Sequence, residues 1–191
     1  MKALLLNGAE EDDRFTNQIG SMIMETGKKN GWQIDNVLLR AKEISSCKGC
    51  FYCWIKTPGQ CIIKDDAKDI LKKIVNTDLL IYLTPITFGG YSYHLKKVLD
   101  RSIGIIMPFF RRVQGEVHHQ MRYEKYPFLL GVGVDFNSDK NNSNIFTNLI
   151  ERNSLNFEVL GFESKIIRPE TKRVDIQNEL NRTFKNVEEL I

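Results

Sequence analysis

Short apolar runs alternate with segments of helical periodicity along the whole chain, and this alternation limits the fold more than any other feature of the sequence. Lys2–Asn7 reads as a buried strand, after which Phe15, Ile19, Met22 and Ile23 recur at helical spacing until Gly31. Residues 32–40 read as a second strand. Asp65 and Asp66 are placed to cap a helix with Ala67, Ile70, Leu71, Ile74 and Val75 on one face and Lys68, Lys72 and Lys73 toward water. Residues 79–83 form a third strand, followed by a helix marked by Leu95, Val98 and Leu99, with Lys96, Lys97 and Arg101 on its other side. Phe128–Val134 supplies a fourth strand, residues 143–155 a helix, residues 157–167 a fifth strand and residues 174–190 a terminal helix.

Parallel strands need crossover connections, so the alternation predicts a parallel sheet with helices on both faces. Five such strands suggest a flavodoxin-like three-layer sandwich of order 2-1-3-4-5, and 191 residues suffice for one domain spanning 1–191. Ligands of such sheets bind outside the carboxyl ends of the strands, where strand order reverses. The loops at 8–16, 84–92 and 135–142 are therefore expected to meet, and the cysteine loop leaving strand two is expected to open on the same edge.

All the cysteine in the chain lies in that loop, as Cys47, Cys50, Cys53 and Cys61 in a Cys-x2-Cys-x2-Cys-x7-Cys pattern. Three readings stay open from spacing. The two Cys-x2-Cys steps resemble the start of ferredoxin-type runs that ligate a 4Fe-4S cluster. Reduced thiols packed with Phe51, Tyr52 and Trp54 are the plain alternative, and zinc or disulfides a third.

Thr84-Pro85-Ile86-Thr87-Phe88-Gly89-Gly90 joins a buried strand to a helix, and its proline and glycines permit close approach of a flat ligand. Backbone N–H groups and the Thr87 hydroxyl suit the polar edge of a flavin, with Ile86 and Phe88 covering its apolar part; the alternative is a simple turn with Phe88 in the core. The histidines, His94, His118 and His119, accompany no nucleophile-elbow serine, so hydrolase chemistry has no anchor. His94 suits a surface or capping role, and the adjacent pair should diverge in an extended segment. Residues 103–126 exceed an ordinary connection; their aromatic and arginine residues suit a cover over the flavin or a partner subunit, or a flap on their own domain.

The net charge of +3 is spread without a basic block, which argues against nucleic acid. No apolar run is long enough to cross a bilayer, and residues 1–6 are too brief for a signal peptide, so no membrane role and a cytoplasmic location are expected.

The cysteine loop Cys47-Lys-Gly-Cys50-Phe-Tyr-Cys53-Trp54, the Asp65-Asp66 pair, the 84–90 loop and Leu99-Asp100-Arg101 together resemble the NADPH-dependent FMN reductase family, in particular its iron-sulfur flavoprotein branch. The resemblance implies FMN at the strand ends, NAD(P)H as electron donor, a small-molecule or protein acceptor, and a homodimer or homotetramer. It also implies that Arg14, Thr16 and Asn17 serve the FMN phosphate, and that Pro85, Ile86, Thr87, Phe88, Gly89 and Gly90 serve the ring. The function expected is a NAD(P)H-dependent FMN or quinone-type reductase; the alternative is a non-enzymatic iron-sulfur electron carrier serving ferredoxin-like partners. The chain departs from the family pattern at Glu10-Glu11-Asp12-Asp13, four carboxylates where a phosphate would bind.

Overall fold

The computed structural model describes residues 1–191. Five parallel strands form one sheet: β1 (Lys2–Asn7), β2 (Gln33–Leu38), β3 (Leu79–Pro85), a later strand Phe128–Val134 and a last strand Phe162–Ile167. The two later strands are β6 and β7, because a hairpin of β4 (Ile106–Val113) and β5 (Glu116–Met121) precedes them. The sheet order is β2-β1-β3-β6-β7, the arrangement expected from the alternation, with β1 and β3 paired as Ala3↔Leu79 through Asn7↔Leu83.

Alternation within each strand divides the core in two. Ala3, Leu5, Ile81 and Leu130 face α1 (Arg14–Lys29) and α6 (Arg173–Leu190), meeting Ile19, Ile23, Leu180 and Phe184. Leu4, Leu6, Leu80 and Tyr82 face α3 (Ala67–Ile74), α4 (Tyr93–Arg101) and α5 (Lys140–Phe157), meeting Ile70, Val98, Phe146 and Ile150. Both faces are thus covered, which is why these strands read as near-continuous apolar runs. A one-turn helix α2 (Tyr52–Ile55) interrupts the cysteine loop. No helix is long and apolar enough to cross a membrane.

Several sequence expectations are corrected. Strand two stops at Leu38 and a 3-10 turn, Leu39–Ala41, follows. Helix α5 continues to Phe157 and ends at Glu158 in a left-handed cap, so the last strand begins only at Phe162. Asp66 does not cap α3; its carboxylate accepts from Glu43 N at 2.9 Å. Arg101 does not face water: it is 1% exposed. Within residues 103–126 the chain forms a hairpin over 106–121 rather than a loop, turning at Gln114 and Gly115, both at positive φ (51° and 85°), the geometry of a two-residue hairpin turn.

Glycine lets α5 and the strand-end loop approach β6 closely. A Cβ on Gly133 would lie 2.8 Å from Phe146 Cε1 and 2.9 Å from Ile86 Cδ1. Gly133→Ala is therefore expected to destabilise the fold by about 1–3 kcal/mol through overpacking, with urea denaturation as the measurement; an unchanged midpoint would contradict it.

Candidate functional site

The first strand-end loop is drawn tight by its own polar groups. Gly8 N donates to Leu83 O at 2.8 Å, which fixes the chain leaving β1 against β3. Ala9 N donates to Asn7 Oδ1 at 3.0 Å. Asp13 caps α1, its carboxylate accepting from Thr16 N at 2.9 Å. Asn17 Nδ2 donates to Glu10 O at 2.8 Å and Asp13 O at 2.7 Å, while Arg40 Nη1 donates to Asn17 Oδ1 at 3.1 Å and Ala9 O at 3.3 Å.

Of the three residues expected to hold a phosphate, Thr16 is the one whose side chain is both buried and unpartnered. It is fully buried, and its hydroxyl makes no hydrogen bond. The Asn17 amide is already engaged. Arg14 is exposed and lines, with Asn7, Asn17 and Arg40, an open cleft of about 850 Å³. The acidic run splits: Glu11 and Asp12 face solvent, Asp13 caps the helix, and Glu10 Oε1 lies 3.1 Å from His94 Nε2. His94 is buried rather than at the surface. Neither of its ring nitrogens makes a well-formed hydrogen bond, so the Glu10 contact is one of proximity.

The loop after β3 carries its aromatic residue outward. Thr87 N donates to Gly90 O at 3.1 Å and Gly90 N to Thr87 O at 2.8 Å, closing a two-residue turn with Phe88 at φ 49° and Gly89 at φ 75°. Both central residues lie in the left-handed region, as a type I′ turn requires. At Gly89 a Cβ would meet Ile145 Cβ at 2.7 Å. Phe88 is 94% exposed, which overturns the reading that it returns to the core. Pro85 and Ile86 are half-buried behind it, and Ile86 N donates to Val134 O at 2.8 Å. The N–H groups of Phe88 and Gly89 take no part in the closure and make no other backbone hydrogen bond. Ser92, which caps α4, ties the loop's far end down by donating its N–H to Thr84 Oγ1 at 2.8 Å.

The third loop adds residues that the sequence did not single out. Asp135 is buried at the end of β6, accepting from Ser143 Oγ at 2.9 Å and Arg168 Nε at 3.3 Å. Burial would raise its carboxyl, but Ser143, the backbone N–H groups of Asn137 and Asp139, and the Arg168 cation hold it below the usual carboxylate range. Phe136 beside it is half-exposed and packs edge-on against Phe15, with ring centroids 6.2 Å apart. Position alone was the signal for Asp135, Phe136 and Arg40, since each lies at or just past a strand's carboxyl end.

The cysteines gather elsewhere. Cys47, Cys50, Cys53 and Cys61 line one cavity of about 100 Å³, closed by Phe51, Ile63, Ile103 and Arg101. Arg101 ends α4, whereas the strand-end loops meet its start, so about 12 Å of helix separates the two places. The cysteine loop therefore does not open on the strand-end edge, because the chain folds back along α4 after leaving β2. All four thiols are free. Burial pushes the Cys53 thiol up, and the proximity of Cys61, Cys47 and Cys50 adds to it. No three His, Cys, Asp or Glu side chains converge as they would on a single metal ion. Zinc at about 2.3 Å from each thiolate would require that convergence. The four sulfurs instead border one shared space.

The hairpin packs beside the cysteines, not over the strand ends. His119 lies between Trp54 (4.9 Å) and Phe110 (4.7 Å), and Trp54 Nε1 donates to Ile103 O at 2.8 Å. The other histidine of the pair diverges, as expected: His118 is buried between Asn156 Oδ1 (3.0 Å) and Glu116 Oε2 (3.1 Å). Phe109, Phe110 and Val117 remain exposed on the hairpin.

Comparison with known proteins agrees with this fold. An iron-sulfur flavoprotein of Methanocaldococcus jannaschii is 33% identical over 102 residues, 53% of this chain and 52% of the relative. The chain thus spans about half the length of the relatives it matches. Among solved structures, the NAD(P)H:quinone oxidoreductase from Methanothermobacter marburgensis superposes with a TM-score of 0.69 at 13% identity, covering 98% of this chain and 97% of that one. An FMN-dependent NADH-azoreductase from Bacillus anthracis, solved with FMN, superposes with a TM-score of 0.64 at 12% identity, covering 100% and 99%. These two share the fold. The model of the NADPH-dependent FMN reductase family matches residues 1–117, which include the first loop, all four cysteines and the 84–90 loop, and the chain belongs to that family.

Proposed function

We propose that this chain binds FMN at the carboxyl ends of β1, β3 and β6 and passes electrons from NAD(P)H to a small-molecule or protein acceptor. The observation that carries the reading is the turn at 87–90, which holds Phe88 in solvent and leaves two backbone N–H groups unused at the switch point of the sheet. An aromatic residue held at 94% exposure by a left-handed backbone has no folding purpose. It suits a planar ring laid against it. When bound, the flavin supplies the redox chemistry itself, accepting a hydride and releasing electrons singly or in pairs.

The chain's own residues bind, orient and exclude water. Phe88 and Ile86 offer the apolar wall, while the N–H groups of Phe88 and Gly89 and the Thr87 hydroxyl offer donors to a polar ring edge. The Thr16 hydroxyl, buried and unpartnered, and the guanidinium groups of Arg14 and Arg40 fit a phosphate at the start of α1. Asp13 competes there. Its carboxylate already accepts the Thr16 N–H that a phosphate oxygen would take.

The four-thiol cavity favours a second element, a 4Fe-4S cluster held by Cys47, Cys50, Cys53 and Cys61, which would make the chain an iron-sulfur electron carrier as well as, or instead of, a reductase. The exposed Phe109, Phe110 and Val117 of the hairpin support an interface between copies, as a homodimer or homotetramer.

The decisive experiment is anaerobic mixing of the FMN-loaded protein with NADH or NADPH. Rapid loss of the flavin's visible absorbance is expected for a reductase. A flavin that stays oxidised with both nucleotides, yet is reduced by a ferredoxin-type protein, would replace the reductase with the carrier.

Two substitutions test the site. Asp13→Asn keeps the cap and removes one charge beside the phosphate, so FMN should bind about fivefold more tightly, equivalent to about 1 kcal/mol at a solvent-exposed anion; fluorescence titration reads it, and unchanged affinity would move the phosphate elsewhere. Phe88→Gly should raise stability by about 1 kcal/mol by relieving the left-handed backbone, yet weaken FMN by about tenfold through the lost aromatic contact. A variant that gained stability and bound FMN normally would remove Phe88 from the site.

A further inference from the structure

Arg101 is the largest fully buried side chain in the protein. A guanidinium has five N–H donors, and a buried one must find acceptors for them. Four are accounted for. Nη1 donates to Asp65 Oδ2 at 2.8 Å and Ser45 O at 2.9 Å, and Nη2 to Asp65 Oδ1 at 3.0 Å and Ile63 O at 3.5 Å. The fifth, on Nε, has no acceptor although it is buried.

The same side chain lines the cavity of about 100 Å³ that Cys47, Cys50, Cys53 and Cys61 share. Cys61 lines the same cavity, but no hydrogen bond joins its sulfur to Arg101 Nε. Water is a poor occupant for this place. A buried water needs two to four polar partners, and apart from Lys48, Gly49 and Arg101 the walls are the four thiols and the side chains of Phe51, Ile63 and Ile103, so that the lining is almost wholly apolar. The missing acceptor is one that brings several sulfurs and negative charge into the cavity.

We infer that Arg101 Nε–H is the donor built into the cysteine cavity for a sulfur of the bound iron-sulfur cluster, and that it thereby sets the cluster's reduction potential. This rests on the reading that the four cysteines hold a cluster. Hydrogen bonds to the sulfurs and net charge are two of the protein's levers on such potentials. Reduction adds negative charge to the cluster, so a donor aimed at its sulfur favours the reduced form and raises the potential. Asp65 serves as the positioning residue: by taking both η nitrogens it turns the guanidinium so that Nε is left for the cavity.

The test compares the full-length protein, purified or reconstituted with iron and sulfide without oxygen, with the Asp65→Asn/Arg101→Gln double variant and with Arg101→Lys. The double variant removes one charge of each sign, leaving net charge unchanged while deleting the Nε–H donor. Iron and acid-labile sulfide are measured for each protein, and the cluster's midpoint potential is read from its visible and electron paramagnetic resonance signals during redox titration. The expected result is a full cluster in all three, with the potential of the double variant shifted negative and Arg101→Lys lying between it and the unmodified protein. If the unmodified protein takes up no iron and sulfide, the cluster reading falls and this inference with it. A cluster with the same potential in every protein leaves the cluster reading intact and overturns the role of Arg101. Loss of iron from the variants, with the remaining cluster at its original potential, would also overturn it, by making Arg101 a purely structural residue. Should one variant fail to fold, the potential of the other decides in the same way.

Discussion

The buried ion pair between Arg101 and Asp65 is the contact on which the arrangement of the cysteine segment depends. Both side chains are almost wholly withdrawn from water, 0% and 7% exposed. Removing two charges from water costs several kcal/mol per ion, and the pair recovers this only through good geometry and further hydrogen bonds. Both conditions are met. The contact is bidentate, Asp65 Oδ2 also accepts from Ser45 N at 2.9 Å, and Asp65 Oδ1 from Ala67 N at 3.1 Å. Burial would raise the Asp65 carboxyl, but Arg101 and these N–H groups hold it below the usual carboxylate range. One ion pair thus joins the end of α4, the segment before the first cysteine and the start of α3. A hydrophobic pair of similar volume could fill the same space, but it could not fix Ser45 O and Ile63 O on the same group.

The sheet was legible because both of its faces are buried. Continuous apolar runs such as Leu79-Leu80-Ile81-Tyr82-Leu83, separated by segments of helical period, leave few topologies, and the observed order follows. The hairpin was not legible in the same way. Its strands are half-exposed, so Phe109-Phe110-Arg111-Arg112-Val113 shows neither a clean alternation nor a buried run, and the turn uses Gln114-Gly115 in place of Asn-Gly or Asp-Gly. A run of aromatic and β-branched residues on either side of a lone X-Gly step was the signal available.

Site residues divide along the same line. Loop composition located the 84–90 turn, and the spacing of the cysteines brought them to one cavity, but neither showed which way a side chain would point. Phe88 goes outward because two successive left-handed residues reverse the chain at Phe88 and Gly89. Arg101 goes inward although helical periodicity puts charge outside, because it meets a carboxylate from a distant segment, Asp65, and His94 is likewise buried, near Glu10. Such partners are separated by long stretches of sequence, and a local pattern carries no record of them.

Helix α4 relates the two candidate sites. Its first turn is pinned by Ser92, which accepts from Leu95 N at 3.4 Å and is itself held to Thr84, and its last by Ser102 Oγ donating to Val98 O at 2.9 Å. Leu95 and Val98 lie fully buried between these ends. A short helix anchored in this way does not slide or tilt independently of the sheet. The strand-end loops at Tyr93 and the cysteine cavity at Arg101 are therefore held about eight residues, or about 12 Å, apart within one chain. Tyr91 strengthens the first end, its hydroxyl accepting from Asn153 Nδ2 at 2.6 Å and so tying the 84–90 loop to α5. The Tyr126 hydroxyl strengthens the second by donating to Ile105 O beneath the hairpin. Each redox candidate thus rests on a different end of one rigid element, and the fold fixes their separation before any cofactor is bound.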